Sequence, residues 1–221
     1  HDLEKLKNNK IVSIFDDFEV TDQIKHLRTQ TLKQLKAIGG NSLLVTSANS
    51  FEGKTFTSIN LGVSVSREFD RSVLIVDADL RKPADGHFAL SEDFFTFDVE
   101  KGLSDYLKGN AELPEVMINP GISKLVIIPS GKPAENAAEL LNSRRMEEMI
   151  AEIKSRYPDR LIIIDTPPTN RFTDAVILSR LVHGILLVVE IEKTSTHDLQ
   201  QVIKKLKDVP IIGTVLNKAK N

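Results

Sequence analysis

The chain has 221 residues, 41% of them hydrophobic and 27% charged, with a formal net charge of -2 and no cysteine. That length suffices for one domain with a substantial core, the near-neutral balance leaves no global electrostatic case for nucleic acid, and the missing cysteines exclude a disulfide scaffold and thiolate metal sites. No apolar run approaches the roughly 20 residues that cross a bilayer, and no signal peptide is visible. His1 is not a translational start, so the sequence reads as a fragment or as one carrying a tag remnant.

In chain order, the first 16 residues are polar and mixed in charge, so residues 1–19 are assigned to an arm or linker ahead of a single domain over 20–221. Ile24, Leu27, Thr31 or Leu32, and Leu35 recur at helical spacing and predict an amphipathic helix over 20–36, with Thr21 or Asp22 as its cap and Gly39-Gly40 as its stop. Six short, continuously apolar runs follow at 43–45, 73–76, 125–128, 161–164, 185–189 and 211–216. Such runs suit strands buried on both faces. Helical patterns at 54–68, 136–156, 174–182 and 196–207 separate most of them. Alternation of strand and helix predicts an α/β fold, a doubly wound, mainly parallel sheet flanked by helices. Residues 85–122 are the least regular part and predict an insertion beside the site, with a short helix near 102–108.

The most telling stretch is Asn-Ser-Phe-Glu-Gly-Lys-Thr, residues 49–55, between the first apolar run and a helical pattern. A strand, a loop ending in Gly-Lys-Thr and a helix are the context of a phosphate-binding loop, whose N–H groups and helix N-terminus face phosphate oxygens. Lys54 then neutralises the β and γ phosphates and the Thr55 hydroxyl ligates Mg²⁺. The pattern asks for Gly where this chain has Ala48. The second strand run leads into Asp77 and Asp79, and the fourth into Asp165. Ligands of open parallel sheets bind at the carboxyl ends of strands, so these three carboxylates are expected to converge on Lys54 and Thr55. One or two carboxylates plus phosphates suit magnesium. The competing reading of each Asp is a turn or helix cap.

These residues carry a resemblance. The chain from about residue 20 onward resembles the cytoplasmic domain of bacterial tyrosine kinases, the BY-kinases of polysaccharide synthesis and export, which share their sheet with MinD/ParA-type partition ATPases. Val73-Leu-Ile-Val-Asp77-Ala-Asp79-Leu-Arg81-Lys-Pro83 is similar to the family's second Walker-A-like element. Asp165-Thr-Pro-Pro168 followed by Thr173-Asp174-Ala175 is similar to its Walker B region, Asn136-Ala-Ala-Glu139-Leu-Leu141 to its Pro-Asn-Pro-x-Glu-Leu-Leu segment, and Val215-Leu-Asn217-Lys218 to the strand end whose Asn meets the adenine. The resemblance implies ATP and Mg²⁺ as cofactors. It implies a nucleotide site made of Ser50, Phe51, Glu52, Gly53, Lys54, Thr55, Phe56 and Asn217, a metal held by Thr55, Asp79 and Asp165, and catalysis by Lys54, by Asp77 as base and by Arg81 steadying phosphates or acceptor. It also implies autophosphorylation on tyrosine in trans, at the cytoplasmic face of the bacterial membrane. The implied partners are a homo-oligomer formed through Asp22, Lys25 and Arg28, a transmembrane activator segment or protein and a tyrosine phosphatase, with no nucleic acid.

Several positions depart from that pattern. Asn49 replaces the signature lysine of the partition ATPases, and Ser50-Phe51 replaces the kinase Pro-Gly. Asp22-x-x-Lys25-x-x-Arg28 replaces Glu-x-x-Arg-x-x-Arg, and Lys lacks the bidentate fork of Arg. The family's tyrosine cluster has no counterpart beyond Tyr106 and Tyr157, which puts acceptors outside this sequence or elsewhere within it. Three readings therefore stand: a tyrosine autokinase, a MinD/ParA-like nucleotide-switched ATPase, and a scaffold that binds nucleotide weakly or not at all. His26, His87, His183 and His197 lack metal-ligand spacing and read as surface or turn residues. Phe88, Phe94, Phe95 and Phe97 read as cover for a sheet edge or as an acceptor-docking surface. Arg144-Arg145 and Lys204-Lys205 read as solvated faces, and Arg171 as either a charge stabiliser or a plain surface arginine.

Overall fold

A computed structural model describes residues 11–14, 19–81, 94–95 and 99–219. Six parallel strands make one sheet in the order β3-β2-β4-β1-β5-β6. They are β1 (Ser42–Ser47), β2 (Ser72–Asp77), β3 (Leu125–Ile128), β4 (Arg160–Asp165), β5 (Gly184–Glu190) and β6 (Ile211–Asn217). Each apolar run of the sequence lies inside one of them.

The pleat divides each run between two cores, because successive side chains point to opposite faces. Leu43, Val45, Val73, Ile75, Leu161, Ile163, Leu186 and Val188 face the first core. Helix α1 (Glu19–Ala37) and helix α2 (Lys54–Ser66) supply its other side through Leu35, Ile59, Leu61, Val63 and Val65. Leu44, Leu74, Val76, Ile162, Ile164, Ile185 and Leu187 face the second core. Covering that face are α3 (Leu103–Leu107), α4 (Leu113–Val116), α5 (Ala137–Leu141), α6 (Arg144–Arg156), α7 (Asp174–Ser179) and α8 (Thr196–Lys205). The result is three layers, as expected for a parallel sheet buried on both faces.

Helix α1 ends as its glycines require. Gly39 has φ 66, and the Gly40 and Gly39 N–H groups return to the carbonyls of Leu35 and Lys36, a left-handed stop that spares a Cβ penalty. The start differs from expectation. Thr21 lies inside the helix, and its hydroxyl donates to the Val12 carbonyl at 3.0 Å rather than capping the first turn. The partner belongs to a 3-10 turn, Val12–Ile14, in the stretch read as an arm. Ile11 is fully buried, and Ser13 bonds Asn60 of α2 through its N–H and hydroxyl. The apolar Ile11 was outweighed by the surrounding polar residues.

The single helix expected over 136–156 is two. Helix α5 closes at Asn142, and Ser143, extended at φ -76 and ψ 153, caps α6 by accepting the Met146 N–H. In the irregular region, α3 matches the expected short helix and α4 was not anticipated. Phe94 and Phe95 are buried in the first core. His87, Phe88 and Phe97 lie outside the described residues. No helix among the described residues is long and apolar enough to cross a membrane.

The Ser13–Asn60 bonds should hold the N-terminal turn to the domain. Asn60→Ala leaves the buried Ser13 N–H unpaired, a cost of about 1–3 kcal/mol. We expect faster amide exchange over residues 11–14 and a matching fall in denaturant midpoint; unchanged exchange there would contradict the anchoring role.

Candidate functional site

The loop after β1 shows why it tolerates its unusual residues. Ala48 is fully buried in the second core and is not among the residues with positive φ, so no glycine is required there. Gly53 is required: its φ is 95, and a Cβ on it would lie 2.0 Å from Asn217 Nδ2. Phe51 has φ 66, a conformation that costs a side-chain-bearing residue on the order of 1–2 kcal/mol. Surrounding contacts hold it there. Lys218 Nζ donates to the Phe51 carbonyl at 2.8 Å, and Asn217 Nδ2 to the Glu52 carbonyl at 2.9 Å. The buried Glu52 carboxylate accepts the Asn49 N–H at 2.9 Å and the Thr194 hydroxyl at 2.5 Å. The loop is thereby tied to the ends of β5 and β6, and α2 begins at Lys54 with its N–H groups facing the loop's hollow.

Two carboxylates stand side by side at the end of the sheet, because β2 and β4 pair in a register that sets Asp77 opposite Asp165. Thr55 Oγ1 donates to one Asp165 oxygen at 2.7 Å, and Ser58 Oγ to the other at 2.9 Å. The Asp79 N–H donates to Asp77 Oδ1 at 3.1 Å. Burial, reinforced by Asp165 and Asp79, pushes the Asp77 carboxyl up to about 8. Asp165 is pushed up to about 6 by burial, opposed by the Thr55 hydroxyl, Lys54 and Ser58. Lys54 is buried, and its ammonium pKa is lowered by that burial despite the opposing charges of Asp165, Asp79 and Glu52.

The three aspartates, Lys54 and Thr55 therefore occupy one small volume. Among the described residues, no group of three His, Cys, Asp or Glu side chains is arranged to hold a metal alone. The donor set fits a hard cation that takes part of its shell from phosphates and water: a Thr hydroxyl beside a buried carboxylate, with further carboxylates whose crowding a divalent charge would relieve.

Other expected site residues have definite places. Arg81 grips Asp174 with both arms of its guanidinium, Nε to Oδ2 at 3.0 Å and Nη2 to Oδ1 at 2.7 Å, and lies over the Phe172 ring at 4.3 Å. Asp174 is fully buried. Phe56 packs its side chain against the first core, leaving only its backbone for the loop. Ser50 is half-buried on the loop. Arg171 is exposed and 5.2 Å from the Phe172 ring. On α1, Lys25 pairs with Asp22 at 3.2 Å, while Arg28 reaches back to the Ser64 carbonyl and Glu68.

Sequence reasoning missed Ser58, Glu52's side chain and Thr194. Ser58 was findable, since it follows Thr55 by three positions and shares its helix face. Thr194 lies 142 positions from Glu52, and no local pattern joins them.

The two carboxyls set a pH dependence for the metal-free protein. Each folded-state pKa lies above the ordinary 3.8, so the stability each contributes is complete below that value. It is lost as pH rises through about 6 for Asp165 and about 8 for Asp77. The denaturant midpoint should fall from about pH 5 to about pH 9, and Asp77→Asn should flatten the upper part of that fall. A midpoint that rises over this range would contradict the assignment.

Comparisons with known proteins agree with this fold. The family model described as AAA domain matches residues 50–217. The tyrosine-protein kinase CpsD of Streptococcus agalactiae serotype III is 32% identical over 178 residues, 80% of this chain and 73% of that protein. The tyrosine-protein kinase etk of Escherichia coli K12 is 32% identical over 198 residues, 89% of this chain but 26% of that protein. The chain thus spans about a quarter of the length of the etk protein, and most of the length of CpsD. The kinase domain of Escherichia coli tyrosine kinase ETK superposes with a TM-score of 0.86 at 28% identity, over 96% of this chain and 80% of that one. The septum site-determining protein MinD of Pyrococcus horikoshii OT3, solved with Mg-ADP, superposes at 0.63 and 28% identity, over 80% of this chain and 69% of that one.

Proposed function

The chain belongs to the bacterial tyrosine-protein kinase family, and from that premise we propose that it is an ATP- and Mg²⁺-dependent protein-tyrosine kinase of exopolysaccharide or capsule synthesis. The observation that carries the reading is the Thr55–Asp165 hydrogen bond beside Lys54 and Asp77. Phosphoryl transfer demands positioning and charge stabilisation rather than covalent help from the protein. Lys54 and the N–H groups of residues 50–56 bind the phosphates. Thr55, Asp165 and Asp79 are the residues that would hold magnesium, which when bound neutralises phosphate charge. Asn217, already on the loop's carbonyl, borders the space for the base.

Asp77 receives the phenol proton. Its carboxyl, pushed up to about 8, is protonated in much of the metal-free population at neutral pH. With a divalent cation held by Thr55, Asp165 and Asp79, the Asp77 carboxyl would ionise more readily and could serve as the base. Arg81 keeps the loop that carries Asp79 against α7 through Asp174. A homo-oligomer through Asp22, Lys25 and Arg28, a transmembrane activator, an opposing tyrosine phosphatase and action at the cytoplasmic membrane face complete the proposal. The likeness to MinD keeps a second reading, a nucleotide-switched ATPase; Asn49, bonded to Glu52 and Asp198, stands where that class has its signature lysine.

With Mg-ATP and a Glu/Tyr copolymer, the chain should form phosphotyrosine. Lys54→Met should abolish it, and Asp77→Asn should lower kcat about 100-fold or more with little change in KM for ATP. Lys54-dependent ATP hydrolysis without any phosphotyrosine would select the switch ATPase. Full activity of Asp77→Asn would remove Asp77 as the base.

A further inference from the structure

We propose that Tyr157 is a phosphoacceptor of this kinase, modified by a second copy of the chain. The proposal rests on the kinase reading and names a substrate for that site.

The sequence has two tyrosines, and the fold treats them differently. Tyr106 is 8% exposed, sits in the second core and has Arg145 against its ring at 4.4 Å. Its phenol cannot enter another molecule's active site without unpacking α3. Tyr157 is 43% exposed, caps the C-terminus of α6 and precedes Pro158 on a surface turn closed by the Arg160 N–H to its carbonyl. It can be presented without loss of core contacts.

Its position also decides the direction of transfer. Tyr157 lies before the first residue of β4, and Asp165 is the last. The five intervening steps of strand span about 16 Å, more than a side chain bridges. The phenol and its own chain's Lys54 and Asp77 therefore occupy opposite ends of the sheet, and transfer within one copy is excluded by geometry.

A second observation points to a phosphate at this position. The Arg160 guanidinium lies over the Tyr157 ring at 4.0 Å. Its Nε donates to Ser72 Oγ, while its Nη1 is buried with no hydrogen-bond partner. A buried charged donor without an acceptor is costly and uncommon. A phosphate on the adjacent phenol brings acceptor oxygens and a charge near -2 to that arginine.

The step balances without further reactants. The Tyr157 phenol oxygen bonds to the γ-phosphorus of ATP as the bond from that phosphorus to the β–γ bridging oxygen breaks. ADP leaves, and the phenol proton passes to Asp77 of the donor copy and then to solvent.

The test mixes two variants of this chain distinguishable by mass. Lys54→Met is the acceptor without catalysis, and Tyr157→Phe is the active donor, which keeps the ring under Arg160. Both are incubated with Mg-ATP, and phosphopeptides are mapped by mass spectrometry; the Glu/Tyr copolymer is assayed alongside. We expect phosphate on Tyr157 of the acceptor and none on Tyr106. The acceptor Lys54→Met/Tyr157→Phe should gain at least about 10-fold less. Phosphorylated copolymer with unmodified Tyr157 overturns the proposal and leaves the kinase reading standing. An unmodified copolymer with an unmodified Tyr157 overturns the kinase reading and the proposal with it.

Discussion

The rest of the site depends on two carboxylates held side by side at the end of a dry sheet. The β2–β4 register sets Asp77 against Asp165, and the strands that carry them are buried on both faces. Water cannot screen this pair well, so the site resolves its charge by other means. Thr55 and Ser58 give Asp165 two hydrogen bonds, Lys54 adds a positive charge, and Asp77 takes up a proton more readily than an ordinary carboxyl. Each response has a chemical use. The hydroxyl and carboxylate are hard oxygen donors, a buried lysine is a cation with which phosphates can pair, and a carboxyl whose pKa lies near neutrality exchanges protons efficiently.

The phosphate loop shows strain fixed from outside. Phe51 occupies the left-handed region, and the fold keeps it there by gripping the carbonyls of Phe51 and Glu52 from Lys218 and Asn217 at the end of β6. Glu52 adds a third tie, to Thr194 after β5. A loop built from glycines would need less restraint but would lose more entropy on ordering. Here the neighbouring strand ends supply the restraint, so the loop's shape depends on the far end of the chain.

That dependence marks how far the sequence was legible. Short apolar runs gave away all six strands, five of them well buried and β6 a half-exposed edge strand, and the Asp residues that follow two of the runs meet at one end of the sheet, because apolar runs and strand-end placement are local properties. The break at Asn142-Ser143 was hidden, since the apolar spacing runs through it and a serine alone does not announce a cap. The seat of Ile11 and Ser13 on α2 was hidden for a different reason: it is a tertiary contact made by a few residues inside a polar stretch. The Glu52–Thr194 bond has no sequence signal at all.

Arg81 shows why position alone misleads about role. It lies four residues beyond Asp77, close enough to suggest contact with phosphates or acceptor. Its guanidinium is committed to Asp174, which is fully buried. Withdrawing one partner from a buried pair leaves an uncompensated charge, a loss of about 3–5 kcal/mol. Arg81 exposes one edge and spans the Phe172 ring, so the pair is only partly screened and the bidentate geometry is strong. A phosphate would have to compete against that cost to recruit the arginine. The favoured role is a brace: it joins the loop bearing Asp79 to the helix that follows the β4 carboxylate.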